Sequence, residues 1–261
     1  MTNRPVFDIN TTTYSLSIQL SLNGFSFSIA TAEGKIVTDF HKNNSEGNYS
    51  EQELYDEVIK TFNSKPELQA KFNTVEVIYH NKRFALVPHK LFDPNNKKSY
   101  LKYSVKTLAT DYISHDDIKE TDIVSVFIPY ININNFLIDQ LGEFNYQHSS
   151  SLLVSHVIKL EKNNQAEKVY LHFSDNLFEV IITKGNTLLL FNTFSFITNE
   201  DVLYYVLFCM EQLSLSPDKI ELTLLSTVEN DLYDLLYTYV RNIQKATTDN
   251  NLLLHQLALN L

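Results

Sequence analysis

The sequence predicts an α/β protein of mixed sheets, built from two halves that share one plan. Three observations carry this. Gly34 and Pro66 recur as Gly185 and Pro217, each 151 residues later. The segments around them follow one order in both copies: strand, turn, strand, turn, strand, helix, Pro-containing loop, strand. Apolar residues alternate with period two before each helix and recur at three and four residues within it, so strand and helix separate by periodicity alone.

In the first copy, Leu16, Ile18 and Leu20 alternate with Ser15, Ser17 and Gln19, a strand with one apolar face. Asn23-Gly24 reads as a type I′ hairpin turn, whose two central residues need positive φ. Phe25, Phe27 and Ile29 form the return strand, Glu33-Gly34 turns, and Lys35–Phe40 makes the third strand. Ser50 and Glu53 form a capping box for a helix with Leu54, Val58, Ile59 and Phe62 on one face. Pro66 lies past its end, and short strands follow at Val75–Tyr79 and Phe84–Val87. Residues 95–110 read as helical. Ile123–Ile128 reads as a strand buried on both faces. Asn135–Leu141 reads as a helix closed by Gly142, Phe144–His148 as a strand and Ser151–Lys162 as a helix. The polar stretch 161–167 marks a junction, giving a first half over 1–162 with an insertion at about 81–150, and a second half over 163–261.

In the second half, Thr198 and Asp201 cap a helix that is apolar on nearly every side, as a deeply buried helix would be. Ile220–Leu225 reads as a strand. Leu232, Leu235, Leu236, Tyr239 and Ile243 read as one amphipathic helix. The apolar tail 250–261 must dock, on its own half or on another chain. Residues 1–13 read as frayed or as a short edge strand.

Composition narrows the function classes. The chain has 261 residues, a net charge of −10 and 44% hydrophobic residues, which suits one large or two medium globular domains. The acidic balance argues against a nucleic-acid backbone as partner. Lysines gather at Lys97, Lys98, Lys102 and Lys106, read as a solvated loop running into a helix. A single cysteine, Cys209, excludes an intrachain disulfide and a thiolate metal cluster, and its apolar surroundings suit a buried inert thiol. No apolar run approaches the ~20 residues of a membrane span, so the expectation is a cytoplasmic protein without membrane insertion. His115-Asp116-Asp117 reads as an exposed loop, with an aspartate capping the next segment. The scattered histidines, His80, His89 and His172 among them, read as structural. No zinc-protease, nucleophile-elbow, Walker or dinucleotide motif is present.

The order three strands, helix, strand, helix, taken twice over roughly residues 14–245, resembles the actin-like ATPase superfamily, whose halves share the ribonuclease H-like fold. The chain also looks like an uncharacterised bacterial domain-of-unknown-function family of that fold. The resemblance implies phosphate-holding turns at the first hairpin of each half, with glycines for close backbone approach and an aspartate to position Mg²⁺ through water. At those positions stand Ser21-Leu22-Asn23-Gly24, with glycine but no aspartate, and Ser174-Asp175-Asn176, with aspartate but no glycine. The glycine-rich adenosine segment has no counterpart. Ser21, Asn23, Gly24, Asp175 and Asn176 are therefore the residues to bind a nucleotide if one binds. The segment Phe7–Thr12 imitates a phosphate loop but has no strand before it. A two-metal nuclease needs a carboxylate on its first strand, and Tyr14–Leu20 and Lys168–Phe173 contain no aspartate or glutamate.

The phosphate-loop and metal-carboxylate patterns are thus not intact, and no catalytic residue or metal ligand is assigned. The reading leans away from an enzyme. It favours a binding or scaffolding protein without cofactor, engaging a protein partner of unknown identity and open to self-association. The alternative is a divergent ATPase or phosphotransferase using Mg-ATP.

Overall fold

Two five-stranded sheets with one strand order organise the chain. The computed structural model describes residues 13–44, 47–103, 105–108, 110–245 and 252–260. The readings for residues 1–12, including the segment Phe7–Thr12, lie outside the described residues.

β1 (Ser15–Ser21), β2 (Gly24–Ala30) and β3 (Ile36–Asn43) form the antiparallel meander. α1 (Glu51–Ser64) follows, and both arms of its capping box form: Ser50 Oγ accepts from the Glu53 amide while the Glu53 side chain accepts from the Ser50 amide. β4 (Thr74–Tyr79) returns parallel to β1, and β5 (Phe84–Pro88), α2 (Lys97–Leu101), β6 (Ser114–Asp117) and β7 (Ile123–Phe127) belong to the insertion. α3 (Ile131–Leu141) leads to β8 (Asn145–His148), parallel to β4, and α4 (Ser149–Leu160) follows directly. β9 (Glu167–Ser174), β10 (Leu177–Lys184) and β11 (Thr187–Ser195) repeat the meander. α5 (Asn199–Gln212), with its Thr198–Asp201 capping box, β12 (Glu221–Leu224), α6 (Asn230–Tyr239), β13 (Asn242–Gln244) and α7 (Leu253–Leu259) complete the chain.

The sheets run β3-β2-β1-β4-β8 and β11-β10-β9-β12-β13, antiparallel in the meander and parallel beyond it. The insertion forms its own three-stranded sheet, β5-β7-β6, with a small core around Leu101, Val124 and Val126. Two compact units result. The first runs to Ile118, resumes over Asp122–Leu152 and takes the last helix from Leu254; the second holds Lys119–Thr121 and Leu153–Leu253.

In each unit one face of the sheet packs on a helix. Leu16, Ile18 and Leu20 meet Leu54, Val58 and Phe62 in the first. Val169, Leu171 and Phe173 meet Val202, Val206 and Met210 in the second, where Cys209 is buried as expected. On the opposite face of the first sheet the central polar side chains Ser17, Gln19 and Ser28 are buried. Alternation alone assigns such a row to solvent; here the chain supplies partners for Ser17 and Gln19, while the buried Ser28 Oγ has none among the described residues.

Three elements differ from the sequence expectation. The helix read over 95–110 spans only Lys97–Leu101, since one fully buried anchor, Leu101, secures little more than one turn. The helix read through Ile243 ends at Tyr239, and Ile243 joins β13 opposite Leu222. β-Branched Val240 and Ile243 favour the open sheet edge over another helical turn. His115-Asp116-Asp117 is not an exposed loop but part of β6, paired with β7.

Candidate functional site

The first candidate turn is built by the β1–β2 ladder. Ser21 pairs with Gly24, which leaves Leu22 and Asn23 as the loop. Ser21 and Asn23 are both buried, and the Asn23 amide donates to Ser21 Oγ at 3.1 Å. None of these residues has positive φ, so the expected type I′ turn does not form. Gly24 is required for another reason. It lies in β2, and a Cβ there would stand 2.5 Å from the carbonyl oxygen of Lys42 on β3. The turn is also roofed by its own chain: the Asn44 amide donates to the Asn23 carbonyl at 2.8 Å and the Tyr49 amide to the Leu22 carbonyl at 2.6 Å.

The second turn is more open. Ser174 pairs with Leu177 across Asp175 and Asn176. Asp175 is half-buried and Asn176 exposed. Asp175 takes φ 53°, the left-handed region that aspartate and asparagine enter most readily after glycine. The Asn176 carbonyl accepts from the Phe196 amide at 3.0 Å, as the Asn23 carbonyl accepts from Asn44.

Two residues in from each turn, both ladders carry a buried polar rung whose partners no local pattern predicts. Gln19 opposes Ser26 in the first, and His172 opposes Glu179 in the second. His172 Nδ1 and Glu179 Oε2 lie 2.8 Å apart, both side chains almost wholly buried. In the first unit the partners come from elsewhere. The Gln19 amide nitrogen reaches His80 Nδ1 at 3.3 Å. His255 of α7 bridges Ser17 Oγ at 2.8 Å and Ser26 Oγ at 3.0 Å. Full burial, with the nearby His41 charge adding to it, pushes the His255 pKa down to about 3. His255 is therefore a neutral imidazole at neutral pH, donating through one nitrogen and accepting through the other. Its role is to fasten α7 to the sheet, and the tail read as needing a docking place finds it in the first unit.

A second polar group surrounds the start of α4. The His148 Nε2–H donates to the Asn81 carbonyl at 3.0 Å, which leaves Nδ1 to accept from Ser150 Oγ at 2.8 Å and from the Ser150 amide at 3.1 Å. Ser125 Oγ lies 2.9 Å from Ser150 Oγ. A serine on a histidine nitrogen has the outline of a nucleophile and its base. Here the ring nitrogen is shared with a helix-capping amide, and Ser150, His148 and Ser125 are all buried. The arrangement caps a helix. Asp116 adds to it, accepting from the His148 amide at 2.8 Å and from Ser151 Oγ at 2.7 Å. Burial raises the Asp116 pKa to about 6 in spite of those two donors. The run of serines after His148 was the sequence signal for this cap, and only the fold brings Asp116 and Asn81 to it.

Comparison with known proteins agrees with this architecture. The family model described as "Protein of unknown function (DUF3822)" matches residues 5–243. A Bacteroides thetaiotaomicron protein with actin-like ATPase fold and unknown function is 22% identical, with a TM-score of 0.84, covering 98% of this chain and 100% of that one. The PilM-PilN type IV pilus biogenesis complex contains a chain with a TM-score of 0.53 at 11% identity, covering 89% of this chain and 88% of that one. The ethanolamine utilization protein EutJ from Carboxydothermus hydrogenoformans gives 0.53 at 6% identity, covering 97% and 91%. No curated protein matches the sequence. At these identities the likeness is one of fold, and the fold is the actin-like ATPase fold. Among the described residues no helix is long and apolar enough to cross a membrane.

Proposed function

The chain belongs to the DUF3822 family, and we propose that it acts as a cytoplasmic binding or scaffolding protein on the actin-like ATPase fold, engaging a protein partner rather than turning over nucleotide. One observation carries the reading. The first of the two turns at which the resemblance implies a phosphate loop has its Asn23 amide bonded to Ser21 Oγ at 3.1 Å, its Ser21 and Asn23 side chains buried, and its glycine committed to the approach of β3. Phosphate recognition needs free amides turned outward and room beside them. A chain of this fold is solved in a complex with PilN, which supports the fold as a platform for protein recognition.

The second turn favours the alternative, a divergent ATPase or phosphotransferase. Asp175 keeps a carboxylate at the tip of its hairpin with φ 53°, where Asn176 would stand beside a bound phosphate. Calorimetric titration of the whole chain with Mg-ATP, with ADP and GTP as controls, separates the two readings. The binding-protein reading expects no saturable heat at millimolar nucleotide. Saturable binding that Asp175→Ala weakens would replace it with the alternative.

A further inference from the structure

We propose that a second copy of this chain docks on the insertion of the first unit, through a basic, apolar surface that is complementary to the acidic, aromatic surface of helices α5 and α6. The inference holds whether or not nucleotide binds.

The charge of the chain is unevenly placed. The net charge is −10, yet residues 89–112 hold five lysines and two aspartates. One of the two, Asp111, is held by Arg83 at 3.1 Å. Residues 199–239 hold eight acids and one lysine. The two segments lie in different units.

Among the described residues of segment 89–112, side chains tie one turn to the next. Tyr100 Oη donates to the Leu91 carbonyl at 2.7 Å, and Lys98 Nζ to the Leu108 carbonyl at 3.0 Å. Lys97 Nζ lies 5.9 Å from the centre of the Tyr112 ring, and Lys102 Nζ 5.5 Å from that of Tyr103. Leu91, Leu108 and Tyr112 are exposed, and Tyr103 is 91% exposed. Apolar and aromatic side chains kept in water among lysines are what an interface presents when its partner is acidic and apolar.

The other surface has that character. α5 packs on α6. Tyr204, 63% exposed, stacks on Phe208 with ring centroids 6.1 Å apart. Tyr237 and Tyr239 of α6 are exposed as well. Glu200, Glu211 and Asp234 stand exposed along the same two helices. A patch of one kind meeting a patch of the other kind is a heterologous contact, with charge setting the register and the aromatic residues supplying the buried area. An anionic membrane would also attract the lysines, but it would repel the rest of a chain this acidic.

Charge exchange tests the proposal. One variant carries Lys98→Glu, Lys102→Glu and Lys106→Glu; the other carries Glu200→Lys, Glu211→Lys and Asp234→Lys. Each then presents two surfaces of like sign, while a mixture restores opposite pairs. In sedimentation velocity the wild type is expected to gain weight-average mass with concentration at about 0.05 M salt and to lose that gain at about 0.5 M. Each variant alone is expected to associate roughly tenfold or more weakly, and the equimolar mixture to recover. Tyr103→Ser, which changes no charge, is expected to weaken association too. A wild type that stays monomeric at every concentration overturns the proposal, as do variants that associate like the wild type or a mixture that fails to recover. Binding of the monomer to phosphatidylserine vesicles, without self-association, would assign the basic surface to lipid instead.

Discussion

At the scale of single residues, the glycines separate two demands that a sequence presents alike. Gly142 follows α3 with φ 78° and open space around its Cβ position. Gly24 has no positive φ, but a Cβ would meet the Lys42 carbonyl at 2.5 Å. Gly142→Ala therefore meets a backbone penalty alone, about 1–3 kcal/mol, because φ 78° with ψ −147° is a region left almost wholly to glycine. Gly24→Ala forces β2 from β3 and is expected to cost about 2–3 kcal/mol, in the range of overpacked cores. Urea midpoints of the two variants check this, and a Gly24→Ala midpoint equal to that of the wild type would refute the crowding. The turn reading of Asn23-Gly24 failed for the same reason. The dipeptide has the right residues for a type I′ turn, but the pairing of Ser21 with Gly24 places the glycine in the strand. Local chemistry names a turn; only the neighbouring strand says which residue it crowds.

At the scale of elements, the legible part was whatever a single segment decides. The meanders, both capping boxes and the apolar faces of α1 and α5 follow from periodicity and caps, and all appear. The hidden part is what distant segments decide together. Ser17 and Ser26 look like the wet side of an amphipathic hairpin, and they are buried because His255, 238 residues from Ser17 and 229 from Ser26, bonds both. His255→Ala leaves two buried hydroxyls unpaired as well as a cavity. The expected loss is about 2–4 kcal/mol in a denaturant titration. The pH dependence identifies the cause. The folded pKa of His255, about 3, lies below the usual value of 6.5, so between those values the unfolded chain binds the proton and the folded chain does not. The stability this residue brings is present above pH 6.5 and is lost on acidification toward pH 3, with a slope of up to about 1.4 kcal/mol per pH unit. His255→Gln removes the titrating group. The difference in stability between wild type and His255→Gln is expected to shrink as pH falls from 7 to 4, and a constant difference would show that His255 does not titrate with unfolding.

At the scale of the whole molecule, the order of the chain and the order of the units do not coincide. The sequence junction at 162/163 lies in a polar stretch, whereas the compact units take α4 from Leu153 onward into the second and the last helix from Leu254 into the first. Helix α7 therefore joins the unit that β1 and β2 belong to. Leu254, His255 and Ala258 are all buried, and the face of β1 and β2 beneath His255 carries serines that water would reach if α7 left. A chain ending at residue 252 is expected to lose more stability than His255→Ala does, because it gives up the apolar burial of α7 as well as the two hydrogen bonds. The loss should be local to the first unit. Amide exchange in β1 and β2 is expected to rise toward that of a partly opened sheet, while β9 and β10, which pack on α5 within the second unit, keep their protection. Equal loss of protection in both meanders would mean that the units unfold as one and that α7 supports the molecule as a whole. Unchanged protection in β1 and β2 would mean that the first unit holds its sheet without α7.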